Sequence, residues 1–90
     1  MMDNKISKGE LYEKYLKRSL KRKVDDSNVS VAKIAERLGK SVPSVYRYID
    51  HSNGRPVNIN TVIDILNTIN EDETEFFIEL DKTVNKKNIK

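Results

Sequence analysis

The sequence predicts an all-α fold, a compact bundle of about five short helices. Apolar residues recur in five separate segments at the three- and four-residue spacing of an amphipathic helix. Residues that cap or break helices separate these segments. No segment shows the alternation of apolar and polar residues that is typical of a half-buried strand.

The first helix is predicted over residues 9–24. Residues 25–28, Asp-Asp-Ser-Asn, favour turns and caps and are predicted to end it. Residues 1–8 lack periodicity and are predicted to form a flexible N-terminal arm. The apolar positions of this helix are Leu11, Tyr12, Tyr15, Leu16 and Leu20.

The second and third helices are predicted at 31–38 and at 42 to about 50. Ser30 and Ser41 stand where their hydroxyls can cap the two helices. Gly39 lies at the end of the second helix, where a left-handed turn favours a residue without a Cβ atom. Pro43 falls in the first turn of the third helix, where its missing amide proton is not needed.

Gly54 and Pro56 mark residues 51–56 as a loop before the fourth helix. That helix is capped by Asn58 or Asn60. Its apolar stripe consists of Ile59, Val62, Ile63, Leu66 and Ile69.

A fifth helix is predicted from Glu73 to about Lys82. Asp72, with Glu75 three residues later, gives the pattern of a capped helix start. Residues 83–90 are predicted to be a basic, flexible C-terminal tail, so the folded domain spans residues 9–82.

Composition limits the functional classes. The 90 residues include no cysteine, which excludes disulfides and thiolate metal sites. No apolar run approaches the ~18 residues of a transmembrane helix, and the N-terminus lacks the pattern of a secretory signal. The expected location is the cytoplasm, with no membrane partner.

Charge is unevenly distributed along the chain. Residues 1–60 hold 13 Lys and Arg against 7 Asp and Glu, a balance of +6. Residues 61–90 hold 4 against 7, a balance of −3. This asymmetry indicates either a face for a polyanion or two solvated surfaces of different sign.

The most informative segment is residues 31–50. Two helices that cross through a tight turn need a small residue at their closest approach, which Ala35 supplies. Gly39 supplies the positive φ of the turn, and Val45 packs the second helix against the first. This spacing indicates a helix-turn-helix, with the remaining contacts from Ile34, Leu38 and Tyr48.

The segment resembles the Cro/phage-repressor type (XRE-like) helix-turn-helix regulators. The likeness extends to the basic segment 16–20, to Arg47-Tyr48 with the loop and helix that follow, and to residues 70–77. It covers roughly residues 10–82 and implies a lambda-repressor-like DNA-binding domain without a cofactor.

On this resemblance, the third helix enters the major groove of double-stranded DNA by its N-terminal turns. Arg47 is expected to pair with guanine. Val42 either meets thymine methyl groups or turns inward to replace the apolar residue that the family usually has at Lys40. Expected base contacts are Val42, Pro43, Ser44 and Arg47, and expected backbone contacts are Lys40, Ser41, Tyr46, Asn53 and Arg55.

The resemblance also implies a homodimer on a two-fold operator. Phe76, Phe77 and Leu80 are expected to lie partly in the core. Two adjacent phenylalanines cannot both point inward from one helix, so at least one is expected at a subunit interface, and these three residues are the expected dimer interface. The basic residues of the first helix form either a solubilising face or a weak attraction to DNA. They are Lys17, Arg18, Lys21, Arg22 and Lys23.

The resulting hypothesis is a sequence-specific transcriptional regulator, a repressor of phage, plasmid or mobile-element type, associated with the nucleoid. The alternative is a protein-interaction module on the same fold, such as an antirepressor, an excision accessory factor or a phage inhibitor of host defence. The sequence has no nucleophile–base pair, metal cluster or phosphate-binding glycine loop, so neither an enzyme nor a small-molecule substrate is expected.

Overall fold

The computed structural model describes residues 7–50 and 57–88 of the chain. Within these ranges the chain forms five α-helices and no β-strand, which confirms the all-α prediction. The helices are α1 (Lys8–Asp26), α2 (Val31–Leu38), α3 (Val42–Ile49), α4 (Ile59–Thr68) and α5 (Glu73–Asn88).

Helix α1 is longer than predicted at both ends. The hydroxyl of Ser7 accepts from the Glu10 amide at 3.1 Å, and the Glu10 carboxylate accepts from the Ser7 amide at 2.9 Å. This capping box starts the helix one residue early. At the other end both aspartates are helical, and Asp25 accepts a salt bridge from Lys21, one turn earlier, at 2.9 Å. The chain leaves the helix only at Asn28, which has a φ of 64°.

Side-chain caps also set the starts of α4 and α5. Asn58, not Asn60, caps α4 by accepting from the Asn60 amide at 2.8 Å. The Asp72 carboxylate accepts from the amides of Thr74 at 2.7 Å and Glu75 at 3.3 Å. Each cap satisfies amides that have no partner within the helix, as the sequence predicts.

The C-terminal part of α5 corrects the prediction of a flexible tail from residue 83. Phe76, Leu80 and Val84 follow one another at four-residue intervals and are all buried. The core therefore extends along α5 beyond Lys82, and the helix continues to Asn88. The basic residues near this end lie where the helix dipole favours positive charge.

The core forms between all five helices. Helix α1 packs mainly against α5 and also contacts α3 and α4, while α2 packs against α3 and α4. Burying one large apolar side chain contributes about 1.5–3 kcal/mol. The buried apolar residues are Leu20, Val24, Ile34, Ala35, Val45, Ile49, Val62, Ile65, Leu66, Ile69, Phe76, Leu80 and Val84.

The predicted stripe of α4 is only partly internal. Val62, Leu66 and Ile69 are buried, together with Ile65, which the predicted stripe omits. Ile59 leaves 59% of its surface in solvent because it is the first helical residue and lies beyond the packed part of the helix. In the part of the chain that the structure describes, no helix could cross a lipid bilayer.

Candidate nucleic-acid interface

Helices α2 and α3 are joined by a turn of three residues, Gly39 to Ser41. Gly39 has φ 68° and ψ 33°, the left-handed conformation that the sequence predicts there. The amide of Lys40 donates to the carbonyl of Ala35 at 2.9 Å, which closes the end of α2. The hydroxyl of Ser41 then caps α3 by accepting from the Ser44 amide at 3.2 Å. The direction in which α3 leaves α2 is thus set by local bonds.

Helix α3 has one buried and one exposed face. Val45 and Ile49 have 0% and 2% of their surface exposed, and Ala35 of α2 is buried beside them in the core. Tyr46 is 53% exposed. Val42, the first residue of the helix, is 37% exposed, although it lies seven residues before Ile49 and therefore near the side of α3 that faces the core.

Most of the predicted DNA contacts lie on this exposed side. Lys40, Ser41, Pro43 and Arg47 are exposed, and Ser44 is half-buried. Seven of the nine predicted contact residues therefore lie on the turn or at positions of α3 that solvent reaches. The other two, Asn53 and Arg55, lie outside the described residues.

Arg47 is linked to the N-terminal end of α3 through two serines. Its guanidinium donates to the hydroxyl of Ser44 at 3.1 Å. The Ser44 hydroxyl in turn lies 2.9 Å from that of Ser41, the cap residue. This chain of bonds holds the guanidinium along the outer surface of the helix, which reduces the side-chain entropy lost when it binds a ligand.

Lys17 of α1 lies beneath the other end of α3. It is only 4% exposed, which is rare for a lysine. Its ammonium donates to the carbonyls of Arg47 and Asp50, at 3.4 Å each. These carbonyls lie in the last turn of α3, where a cation is favoured. Burial lowers the pKa of Lys17 below 10.5, while the carboxylates of Asp50 and Glu13 act in the opposite direction.

This position corrects the prediction for the basic residues of α1. Lys17 supports α3 from inside and is only 4% exposed, so it cannot contact a DNA phosphate directly. Lys23 is half-buried and lies 3.7 Å from Glu71 and 3.8 Å from Glu79, so it links α1 to the acidic part of the chain. Arg18 and Arg22 remain exposed. Only some residues of the predicted basic face are therefore exposed on α1.

Sequence reasoning overlooked the role of Lys17, although a signal was present. Lys17, Leu20 and Val24 are the buried residues of α1 and lie three and four residues apart. A lysine at the helical spacing of buried apolar residues has two explanations. Either the inward face of the helix is assigned wrongly, or the lysine is a buried cation with a partner.

The predicted dimer interface is partly wrong. Phe76 and Leu80 are 2% and 1% exposed because they fill the core of a single copy. Phe77 is half-buried and meets the Phe76 ring edge-on, with centroids 5.3 Å apart. Of the three residues, only Phe77 can therefore contact another molecule.

Phe77 lines an open groove of about 640 Å³ that lies between α4 and α5 and extends to the start of α1. We call it the α4–α5 groove. Ile59 and Ile78 are the exposed large apolar residues there, and neither was predicted at an interface. At its edge the hydroxyl of Tyr12 donates to the carboxylate of Asp81, which raises the pKa of Tyr12 above 10.0. The groove is lined by Tyr12, Ile59, Ile63, Glu73, Thr74, Phe77, Ile78, Asp81 and Lys82.

The described ranges contain no group of three or more histidine and carboxylate side chains that could hold a metal ion. The chain matches none of the family models, curated proteins or solved structures compared with it. The likeness to Cro/phage-repressor type regulators therefore depends on the motif residues themselves.

Proposed function

We propose that this protein is a sequence-specific DNA-binding regulator, a repressor of phage, plasmid or mobile-element type. On this proposal, residues 31–49 are a helix-turn-helix and α3 is the recognition helix in the major groove. The protein acts as a binding protein rather than an enzyme. Its place is at DNA in the cytoplasm.

The observation that carries the proposal is the division of α3 into two faces. Val45 and Ile49 anchor the helix in the core, while the start of α3 is exposed and Arg47 of the last turn is held against Ser44. A major groove admits one α-helix that enters in this way. Lys40 and Arg47 give this surface positive charge, as contact with phosphates requires.

The residues of this surface have different roles in the proposal. Arg47 reads guanine through its fork of N–H donors, for ~1–3 kcal/mol of discrimination. Val42 and Pro43 contact thymine methyl groups, and Ser44 orients Arg47 and meets a base edge. Lys40, Ser41 and Tyr46 contact the phosphate backbone and fix the register. These last three carry no sequence information of their own.

One recognition helix of eight residues reads only a few base pairs. Useful affinity for a single operator therefore requires two copies on a two-fold site, with half-sites about 10 base pairs apart. We propose a homodimer as the species that binds the operator.

Selection of bound duplexes from a random DNA pool tests the proposal. We expect an enriched palindrome with the half-site spacing given above. In competition at fixed salt, Arg47→Ala should lower the preference for the selected duplex over a scrambled one by about ten-fold or more. The matched control is Arg22→Ala, which removes the same charge from exposed α1 and should weaken both duplexes about equally.

Two results would refute the proposal. One is a pool from which no duplex is enriched at low salt. The other is an Arg47→Ala protein that keeps the full sequence preference, since the guanidinium would then read no base.

A second candidate function is a protein-interaction module on the same fold, such as an antirepressor, an excision accessory factor or a phage inhibitor of host defence. The observation that favours it is the α4–α5 groove, where Ile59 and Ile78 are about half exposed. Failure of the DNA selection, together with a stoichiometric protein complex that survives nuclease treatment, would favour this candidate.

A further inference from the structure

The α4–α5 groove is an apolar surface that the proposed DNA contacts leave unused. Four large apolar residues are exposed in the described ranges, and two of them, Val42 and Tyr46, belong to α3. The other two, Ile59 and Ile78, lie in the groove with the half-buried Phe77 between α4 and α5. Apolar side chains clustered in this way indicate a contact with another protein surface.

The charges of the groove suit a copy of itself. Glu73 and Asp81 supply carboxylates, and Lys82 supplies an ammonium group, all on α5. In a two-fold contact the same patch meets itself, so a patch with both signs can set the ammonium of one copy against a carboxylate of the other. A purely acidic patch would repel its copy.

The size of the groove limits the strength of such a contact. A standard interface takes ~800 Å² from each partner. Two half-exposed isoleucines and part of one phenylalanine supply only a fraction of that area. The contact is therefore weak between free copies. It becomes effective when one DNA molecule holds both copies and raises their local concentration.

We infer that the α4–α5 groove is the surface through which two copies of this chain contact each other. The inference rests on the proposed function, because a two-fold operator calls for two copies. It replaces Phe76 and Leu80, which are internal, by the neighbouring residues Ile59 and Ile78. The dimer is weak in solution, and pairing is completed on the operator.

Sedimentation equilibrium of the full chain without DNA tests the apolar part of the inference, at concentrations up to about 1 mM. We expect a concentration-dependent dimer. Ile78→Ser should weaken it by at least about ten-fold, as loss of a central apolar contact does. The matched control is Tyr46→Ser, since Tyr46 is 53% and Ile78 50% exposed. This control should leave the dimer within about two-fold of wild type.

A second pair of variants tests the charges. Lys82→Glu removes the only ammonium among the described residues of the groove lining and should weaken the dimer, because every charge that remains on those residues is negative. Lys86→Glu makes the same change one turn further along α5, outside the groove, and should have little effect. Thermal unfolding confirms that each variant is folded.

Different results would refute the inference and the proposed function. A wild-type chain that stays monomeric at about 1 mM, or a dimer that Ile78→Ser and Lys82→Glu leave unchanged, overturns the inference whatever the chain does with DNA. Conversely, a dimer with the expected responses and no selected duplex supports the groove and overturns the proposed function. A groove that binds a different protein while the chain stays monomeric also counts against the inference.

Discussion

The outer face of α3 and the α4–α5 groove both leave large apolar side chains in solvent, yet their polar neighbours differ. On α3, Val42 and Tyr46 lie among serines and an arginine, with Lys40 in the turn before the helix. In the groove, Ile59 and Ile78 lie beside two carboxylates and one ammonium group.

Exposure alone therefore does not identify a partner. Exposed apolar residues with positive charge around them suit a polyanion, whose backbone attracts the cations while its base edges meet the apolar groups. Clustered apolar residues with mixed charge suit a protein surface. The two faces are therefore expected to respond to different substitutions.

The largest expected effect is on the free energy of unfolding, and it distinguishes Phe76 in the core from its neighbour Phe77 at the groove. Phe76→Ala should lower the free energy of unfolding by about 3–5 kcal/mol, because it leaves a cavity in the core. Phe77→Ala should cost about half as much or less, since this ring is only partly buried. Urea denaturation measures both. Equal costs would contradict the assignment of Phe76 to the core and Phe77 to the groove.

The next effect tests the support beneath α3. Lys17→Met keeps an unbranched side chain but removes the ammonium from two carbonyls, and should lower the free energy of unfolding by about 1–3 kcal/mol. Lys21→Met is the matched control. It breaks an exposed salt bridge, so its cost should stay within about 0.5 kcal/mol. Equal values in urea denaturation would show that Lys17 contributes no more than a surface lysine.

A somewhat smaller effect is expected at the turn before α3. No atom lies within 4 Å of where a Cβ at Gly39 would be, so only the positive φ opposes a side chain. Gly39→Ala should therefore cost about 1–2 kcal/mol. Gly39→Asn should cost less, because asparagine tolerates this conformation.

Gly9 is the control glycine for this prediction. It lies in the first turn of α1, where a Cβ would make only an ordinary contact with Ser7. Gly9→Ala should stabilise the protein by up to about 1 kcal/mol. Thermal unfolding of the three variants gives the comparison. If Gly39→Ala is neutral, the turn does not need its left-handed geometry.

The smallest effect appears in alkaline solution. The bond to Asp81 raises the pKa of Tyr12 above 10.0, so this contribution to stability is complete below pH 10.0 and is lost as the pH rises through the raised pKa. Burial lowers the pKa of Lys17 below 10.5. In this pH range Lys17 therefore binds more protons in the unfolded chain than in the folded chain. Its contribution to stability increases as the pH rises towards 10.5.

Urea denaturation between about pH 9 and 11 should separate these two groups. Relative to wild type, the free energy of unfolding of Tyr12→Phe should fall less steeply with pH, and that of Lys17→Met more steeply. Identical slopes in all three proteins would mean that neither group titrates differently on folding.

The sequence predicted the surroundings of α3 best because local chemistry determines them. Ser30, Gly39 and Ser41 each act on amides or carbonyls within a few residues, so their effect does not depend on the rest of the fold. The same holds for Asp72 at the start of α5.

The errors arose where a distant contact decides the outcome. Basic and polar residues around Val84 suggested a loose tail, but packing of Val84 in the core keeps α5 helical. Phe76 and Leu80 were expected at an interface, yet with Val84 they continue the same inward stripe. Lys17 is buried because the end of α3 meets α1 there; its spacing from Leu20 and Val24 marks it as internal, but no local pattern identifies the carbonyls that it contacts.

Helix α1 touches both surfaces through side chains only five residues apart. Tyr12 bonds to Asp81 at the groove, and Lys17 holds the carbonyls at the end of α3. Five helical residues span only ~7.5 Å of one continuous rod. A small translation or rotation of α1 would therefore move both side chains, Tyr12 at the groove and Lys17 at the end of α3, at the same time. Helix α1 is therefore one continuous mechanical route between pairing of two copies and the fit of α3.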